Sequence, residues 1–291
     1  MNFLIAGGTG LIGQQLRIAL LNKGHNVFVL SRTDDKDFIT WNIKTKKIER
    51  KLLDKVEVII NLCGEGIVEK RWTKKRKQKL YDSRVETTKV LFSYRKHMPN
   101  LKHYISASGI TCYGNEFNPI GYNEKDSFGD DYISFLVEEW ESAADLFSNH
   151  LPTTKIRMGI VLSRKGGAIE KMIKPIRLGL GSVIASGNQI ISWIHIDDLI
   201  SLFIHVIENR LVGTFNAISE NTSNREFMSE LANSINRKIW LPAPAFFFRL
   251  IFGEMSTLLV NGVHVSNHKI KSTGFTFNYS TLNLALKDLK L

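Results

Sequence analysis

The chain has 291 residues, 43% of them hydrophobic and 23% charged, an ordinary composition for one large globular domain or a domain with a small lobe. Lys and Arg outnumber Asp and Glu by 39 to 28, a net charge of +11, and the absence of repeats and low-complexity tracts excludes solenoid, collagen-like and disordered classes. Two cysteines, Cys63 and Cys112, form neither a CxxC pair nor a dense framework, which excludes a disulfide scaffold and predicts a reducing, cytoplasmic setting.

The opening "NFLIAGGTGLIGQQLRIALLNKGHNVFVLSR" reads strand, glycine turn, amphipathic helix, strand. Its first apolar run passes directly into glycines, unlike the charged leader and cleavage site of a signal peptide. Leu11, Leu16, Ala19 and Leu20 supply the helix's apolar stripe, and Gly24 ends it. "VEVIINLCG" is a buried strand followed by a loop. Residues 70–79 are then mostly Lys and Arg, a cluster that could attract nucleic acid, an anionic membrane or a phosphorylated ligand. Without aromatic interleaving or a nucleic-acid module, a solvated helix face is the preferred reading. A long helix is predicted over 73–97.

"HYISAS" and "TTKIRMGIVL" are further strands. Between them lies a helix over 129–147, whose apolar face carries Ile133, Leu136, Val137, Trp140, Ala143, Ala144 and Phe147. Strands alternating with helices imply right-handed crossovers and an α/β, Rossmann-like doubly wound parallel sheet. After Ser163 come a looser segment, a strand-like "QIISWIHI", a helix from Asp197 and a strand "GTFNAI". The remainder is mainly helical and is expected as a small lobe over the sheet's carboxyl edge. The division is therefore a cofactor domain over 1–163, with 190–218 returning to it, and a substrate-side lobe from 164–189 and 219–291. Within that lobe, "APAFFFRLIFGEMSTLLVNG" is broken by Arg249 and Glu254 and too interrupted to span a bilayer. It reads as a packed helix pair, with a partner-binding face as the alternative.

Gly7, Gly10 and Gly13 stand in G-x-x-G-x-x-G spacing, and Gly8, Gly10 and Gly13 also satisfy G-x-G-x-x-G. Either pattern is weak alone, but here it follows a predicted strand and opens a helix, the context a dinucleotide site requires. The glycines let backbone N–H groups and the helix N-terminus approach a pyrophosphate. An NAD site wants Asp or Glu near the end of the second strand, to accept from the ribose 2′-OH. This strand ends Val29-Leu30-Ser31-Arg32, with no carboxylate before Asp34. A hydroxyl and a guanidinium suit a 2′-phosphate, so NADP(H) is the expected cofactor. Arg84 falls on the stripe of Leu80, Thr87, Thr88 and Leu91, where a partly buried guanidinium needs a partner. A cofactor ribose or phosphate, a bound acid or an internal carboxylate would serve.

Taken together, "GGTGLIG", "VLSR", "NLCGEGI", "SRVETT", "SASGITCYG", "RMGIVLSRKGGAI", "SWIHIDDL", "GEMSTLLVNG" and "GFTFNY" run in order through nearly the whole chain. With them the sequence resembles the atypical and extended short-chain dehydrogenase/reductases. More narrowly, it resembles the NAD-dependent epimerase/dehydratase-like "epimerase family" proteins sometimes labelled cell-division inhibitors. The resemblance implies cofactor contacts from Gly7, Thr9, Gly10, Leu11, Ile12 and Gly13, from Ser31 and Arg32, and from Leu62 and Cys63 after the third strand. It also implies a cofactor-facing Arg84, where extended relatives usually carry Asn; Cys63 replaces a commoner Ala.

The superfamily works through Ser, Tyr and Lys, the last two being four apart on one helix face. None of the seven tyrosines here has Lys four residues on. Counted back from "WE", the two positions map to Ile133 and Val137, expected to face the cofactor. Tyr132, adjacent in sequence, is turned away by roughly 100°. Ser108 and Tyr113 remain as catalytic candidates, although Tyr113 also marks a structural position in relatives. Trp140 and Glu141 read as packing and a salt bridge, and Asp197 and Asp198 after His195 as a helix N-cap and first-turn charge. No metal site is predicted. The expected function is an NADP-dependent oxidoreductase or epimerase without the usual acid/base pair, acting on an unnamed small molecule. The alternative is a non-catalytic NADP(H) sensor or regulator. No nucleic-acid or membrane partner is expected, and a homodimer is left open.

Overall fold

Phe3 and Ile5 point to one side of the first strand, Leu4 and Ala6 to the other, and all four are fully buried, so helices must cover both faces. The computed structural model describes residues 1–32, 38–116, 118–239 and 242–291. Its strands are β1 (Asn2–Ala6), β2 (Asn26–Ser31), β3 (Phe38–Asn42), β4 (Lys47–Ile48), β5 (Val58–Asn61), β6 (His103–Gly109), β7 (Thr153–Met158), β8 (Ile160–Leu162), β9 (Ile190–His195), β10 (Gly213–Ala217) and β11 (Glu220–Ser223). Its α-helices are α1 (Leu11–Asn22), α2 (Lys74–Tyr81), α3 (Thr87–Ser93), α4 (Tyr132–Ser148), α5 (Ala168–Arg177), α6 (Ile196–Glu208), α7 (Asn224–Ser234), α8 (Ala245–Phe252), α9 (Thr257–Val260), α10 (His268–Ser272) and α11 (Leu282–Leu289).

The main sheet runs β10-β7-β6-β5-β1-β2-β3-β4, and only the β3–β4 pair is antiparallel. Strand order reverses between β1 and β5, which opens a crevice at their carboxyl ends. Leu16 and Leu20 of α1 and Leu199 and Phe203 of α6 pack on the Phe3 face. Leu91 of α3 and Ala144 and Phe147 of α4 pack on the Leu4 face. A smaller sheet, β11-β9-β8, carries its own core, in which Leu162 and Trp193 meet Ile173, Phe227 and Leu286 from α5, α7 and α11. The fold is the Rossmann-like one expected, with a largely helical C-terminal part.

Several local expectations are corrected. The helix predicted over 73–97 is interrupted by a π-helical turn at Asp82–Glu86 and closes in a 3-10 turn at Arg95–His97. At its end the Thr87 and Thr88 hydroxyls both donate to the Arg84 carbonyl, at 2.9 and 2.7 Å. "TTKIRMGIVL" is two strands, because the chain leaves the main sheet at Gly159, where a Cβ would stand 2.6 Å from the Ser192 carbonyl oxygen. Residues 190–218 return to the main layer only in part: β9 pairs with β8 and β11, while α6 and β10 rejoin it. The cap of α6 is His195, whose Nδ1 accepts from the Asp197 N–H at 3.3 Å. Both aspartates sit in the first turn, and Asp198 accepts from the Asn278 and Tyr279 N–H groups at 2.9 Å. The packed helix pair is formed only in part: Phe252 of α8 and Leu258 of α9 lie against the cluster of Trp72, Leu80 and Met255. No residue of α8 is buried. Among the described residues no helix is long and apolar enough to cross a membrane.

Candidate cofactor site

The turn between β1 and α1 is shaped by close approaches that only glycine allows. Gly7 has φ +81°, and a Cβ there would lie 2.9 Å from the Leu62 carbonyl. A Cβ on Gly13 would collide with the Gly7 carbonyl and Gly8. The Gly10 N–H donates to the Gly7 carbonyl at 3.1 Å, and Gly10 then serves as the α1 N-cap with no side chain capping the helix and no acid in its first turn. Thr9 and Gly10 are exposed, Leu11 and Ile12 partly so. First-turn N–H groups lack intrahelical acceptors, so this end favours an anion. The cradle fits a dinucleotide pyrophosphate.

Ser31 is buried at the carboxyl end of β2 and Arg32 is exposed just beyond it. Asp34 lies outside the described residues. Across the crevice Leu62 and Cys63 are half-buried, and the Asn61 side chain fixes their loop by accepting from the Cys63 N–H at 3.1 Å. Burial pushes the Cys63 thiol up to about 12, against the downward pull of Arg32 and Arg84. Burial thus favours the neutral thiol over the nucleophilic thiolate.

Arg84 sits in the π-helical turn, buried over the Trp140 ring at 5.2 Å. It donates to the Glu65 and Leu80 carbonyls at 3.0 and 3.2 Å and to the Ser83 hydroxyl at 3.4 Å. Burial lowers its pKa to about 10. Among the described residues its hydrogen-bond partners are carbonyl and hydroxyl oxygens rather than an internal carboxylate.

Ile133 and Val137 are both buried in α4. Ile133 packs in a cluster with Trp72, Leu80 and Met255, and Val137 in another with Ile110, Cys112 and Tyr113. Neither position offers an ionisable group. Tyr132 is turned aside, its hydroxyl donating to the Lys77 carbonyl at 3.2 Å. The structure brings Ser108 and Tyr113 together around a buried ion pair. Ser108 donates to Glu141 at 2.5 Å, and the Tyr113 hydroxyl donates to Asn216 at 2.7 Å while accepting from Arg157 at 2.9 Å. Each is only 2% exposed. Burial raises the Tyr113 pKa. Sequence reasoning missed Arg157 and Asn216; the available signal was a cation inside the apolar run "KIRMGIVL".

The basic segment is only partly solvated. Arg76 is buried and pairs with Glu65 at 2.9 Å and Glu69 at 3.6 Å, while Lys77 pairs with Glu254 and lies 4.2 Å over the Tyr132 ring. Lys74 and Lys75 are exposed. Neutralising Lys74, Lys75 and Lys77 together should leave NADPH affinity within about twofold, because Lys74 and Lys75 are exposed and screened and Lys77 is already paired with Glu254. A tenfold loss in calorimetric titration would place the segment in the phosphate site instead.

His195, Asp197 and Asp288 bring potential ligand atoms within 4.8 Å of one another. The cap bond, however, occupies the Nδ1 lone pair, so Nε2 carries the proton and faces Asp288 at 3.5 Å. A cation at Nε2 would have to displace that proton.

The parallel sheet, its crevice and the uncapped glycine turn define a Rossmann-type dinucleotide-binding fold. Residues 3–217 match the NAD dependent epimerase/dehydratase family, and the chain belongs to that family. Residues 243–289 match a Domain of unknown function (DUF1731). The chain is 34% identical over 298 residues to the Epimerase family protein SDR39U1 of Mus musculus, covering 99% of each. It is 33% identical over 301 residues to the Epimerase family protein YfhF of Bacillus subtilis, covering 99% of this chain and 98% of that one. The crystal structure of human epimerase family protein SDR39U1 (isoform2) with NADPH superposes with a TM-score of 0.90 at 32% identity, covering 100% of this chain and 99% of that one. The UDP-Glucuronic acid 4-epimerase from Bacillus cereus shares the fold, with a TM-score of 0.79 at 19% identity over 100% of this chain and 99% of that one.

Proposed function

We propose that the chain binds NADP(H) and belongs functionally with the atypical short-chain dehydrogenase/reductases, as an oxidoreductase or epimerase. Gly7, Thr9, Gly10, Leu11, Ile12 and Gly13 would cradle the pyrophosphate. Ser31 and Arg32 would take the 2′-phosphate, and Leu62, Cys63 and Arg84 would line the crevice. In this reading 1–163 with α6 and β10 form the cofactor domain and the rest the substrate-side lobe. The observation that carries the reading is the uncapped glycine turn beside a strand followed directly by the exposed Arg32. The NADPH in the human SDR39U1 structure supports it.

When bound, the cofactor supplies a hydride. The chain's own residues orient it and exclude water, but Ile133 and Val137 move no proton, and the Ser108 and Tyr113 hydroxyls are held by Glu141, Arg157 and Asn216. A substrate that is reduced must then be protonated by water or by its own acidic group. That same burial favours a second reading, an NADP(H) sensor or regulator without turnover. With a panel of simple aldehydes and ketones, NADPH should bind yet be oxidised at rates roughly 10²–10⁴ below those of a site with a positioned acid. Steady oxidation that survives Tyr113→Phe and Ser108→Ala would sink this account and require an acid elsewhere.

A further inference from the structure

Helix α8 carries Phe246, Phe247, Leu250 and Ile251 at 68, 49, 73 and 43% exposure. The segment after α5 adds Leu178 and Leu180 at 75 and 72%, and it is tied to the start of α8 by backbone bonds of Val183 and Ala185 with Ala243. Exposed side chains of this size grouped on neighbouring segments mark an interaction surface. Cations flank both ends. Beyond the C-terminus of α8, a Cβ on Gly253 would touch the Arg71 guanidinium, and Glu254 pairs with Lys77, which brings exposed Lys70, Arg71, Lys74 and Lys75 beside the helix. On the other side, α5 exposes Lys171 and Arg177. The nearby acids Glu69, Glu170 and Glu254 are already paired, with Arg76, Lys174 and Lys77.

We infer that this face docks peripherally on an anionic bilayer. The aromatic and aliphatic side chains of α8 enter the boundary between headgroups and acyl chains, and the flanking cations meet acidic headgroups. The sequence-based expectation of no membrane partner rested on a stretch too interrupted to span a bilayer and on charge alone, and the exposed face of α8 adds an apolar component to that charge. A second copy fits less well, because a two-fold contact would set the same basic flanks against each other. A bilayer complements both the apolar stripe and its charge.

The test is flotation of the full chain with vesicles of phosphatidylcholine alone, or with about one-third phosphatidylglycerol, at low and high salt. Partitioning should be at least about tenfold stronger on the anionic vesicles and should fall with salt. Phe246→Ser with Leu250→Ser, and separately Lys74→Glu with Lys75→Glu, should each reduce it about tenfold or more. NADPH affinity of these variants reports that the fold is intact and is otherwise independent of the result. Equal partitioning on both vesicles, no partitioning, or anionic binding untouched by the α8 pair would overturn the inference. Self-association lost in the α8 pair without vesicle binding would assign the face to a second copy instead.

Discussion

Replacing Arg157 by methionine should lower the free energy of unfolding by about 3–5 kcal/mol, since it strands the Glu141 carboxylate as an uncompensated buried charge. Both residues are 3% exposed, one on β7 and the other on α4. The guanidinium holds the carboxylate through two bonds, Nε to Oε1 at 2.8 Å and Nη2 to Oε2 at 2.9 Å, and passes a third to the Tyr113 hydroxyl. Lys155 is no substitute: it lies 3.7 Å from Glu141 and is engaged by Asp145 at 2.8 Å.

The pH dependence gives an independent check. Burial pushes the Glu141 carboxyl up, but the hydrogen bond and charge of Arg157, helped by Ser108 and Lys155, outweigh it and hold the group below the usual carboxylate range. A depressed folded pKa gives stability that is complete above the unfolded value and lost as pH falls through the folded one. Without Arg157, burial is no longer outweighed and the carboxyl rises, so the variant should instead gain stability on acidification. Urea midpoints at about pH 7 and pH 5 should therefore converge between native and variant proteins. Adding Glu141→Leu should recover much of the loss, because apolar replacement of a buried pair is often neutral. A cost below about 1 kcal/mol for Arg157→Met would mean the network is not what joins α4 to β7.

The glycine turn and β1 were legible because their signals are local: fixed glycine spacing and an apolar run between turns. Glu141 was read as a salt-bridge residue, but its partner Arg157 was missed, because it lies on another element and only the packing of α4 on β7 pairs them. The π-helical turn escaped detection because helical periodicity survives one inserted residue, and its stabilising hydroxyls look like ordinary Thr87 and Thr88. The break at Gly159 is set by the Ser192 carbonyl, more than thirty residues away, which no window on "RMGIVL" contains. Apolar composition gave α8 the look of a packed helix; whether such a helix is covered depends on its neighbours, and here they half-bury Phe248 and Phe252 while leaving Phe246, Phe247, Leu250 and Ile251 exposed.

Replacing Arg32 by alanine should weaken NADPH binding roughly 10- to 100-fold and leave NADH within about twofold. Each hydrogen bond to a charged group is worth about 1.5–3 kcal/mol, and only NADPH carries the 2′-phosphate that would receive it. The position suits a selective effect. Arg32 is exposed, so its loss removes little packing, whereas the preceding Ser31 is buried and held in register by the pairing of β2 with β3 at Thr40. Calorimetric dissociation constants for both cofactors, measured at two salt concentrations, decide the matter. The native preference for NADPH should shrink with salt, and the variant should lose both the preference and the salt dependence. Equal affinity of the native protein for the two cofactors would remove Arg32 from the phosphate site and leave only the glycine cradle, which does not discriminate between them.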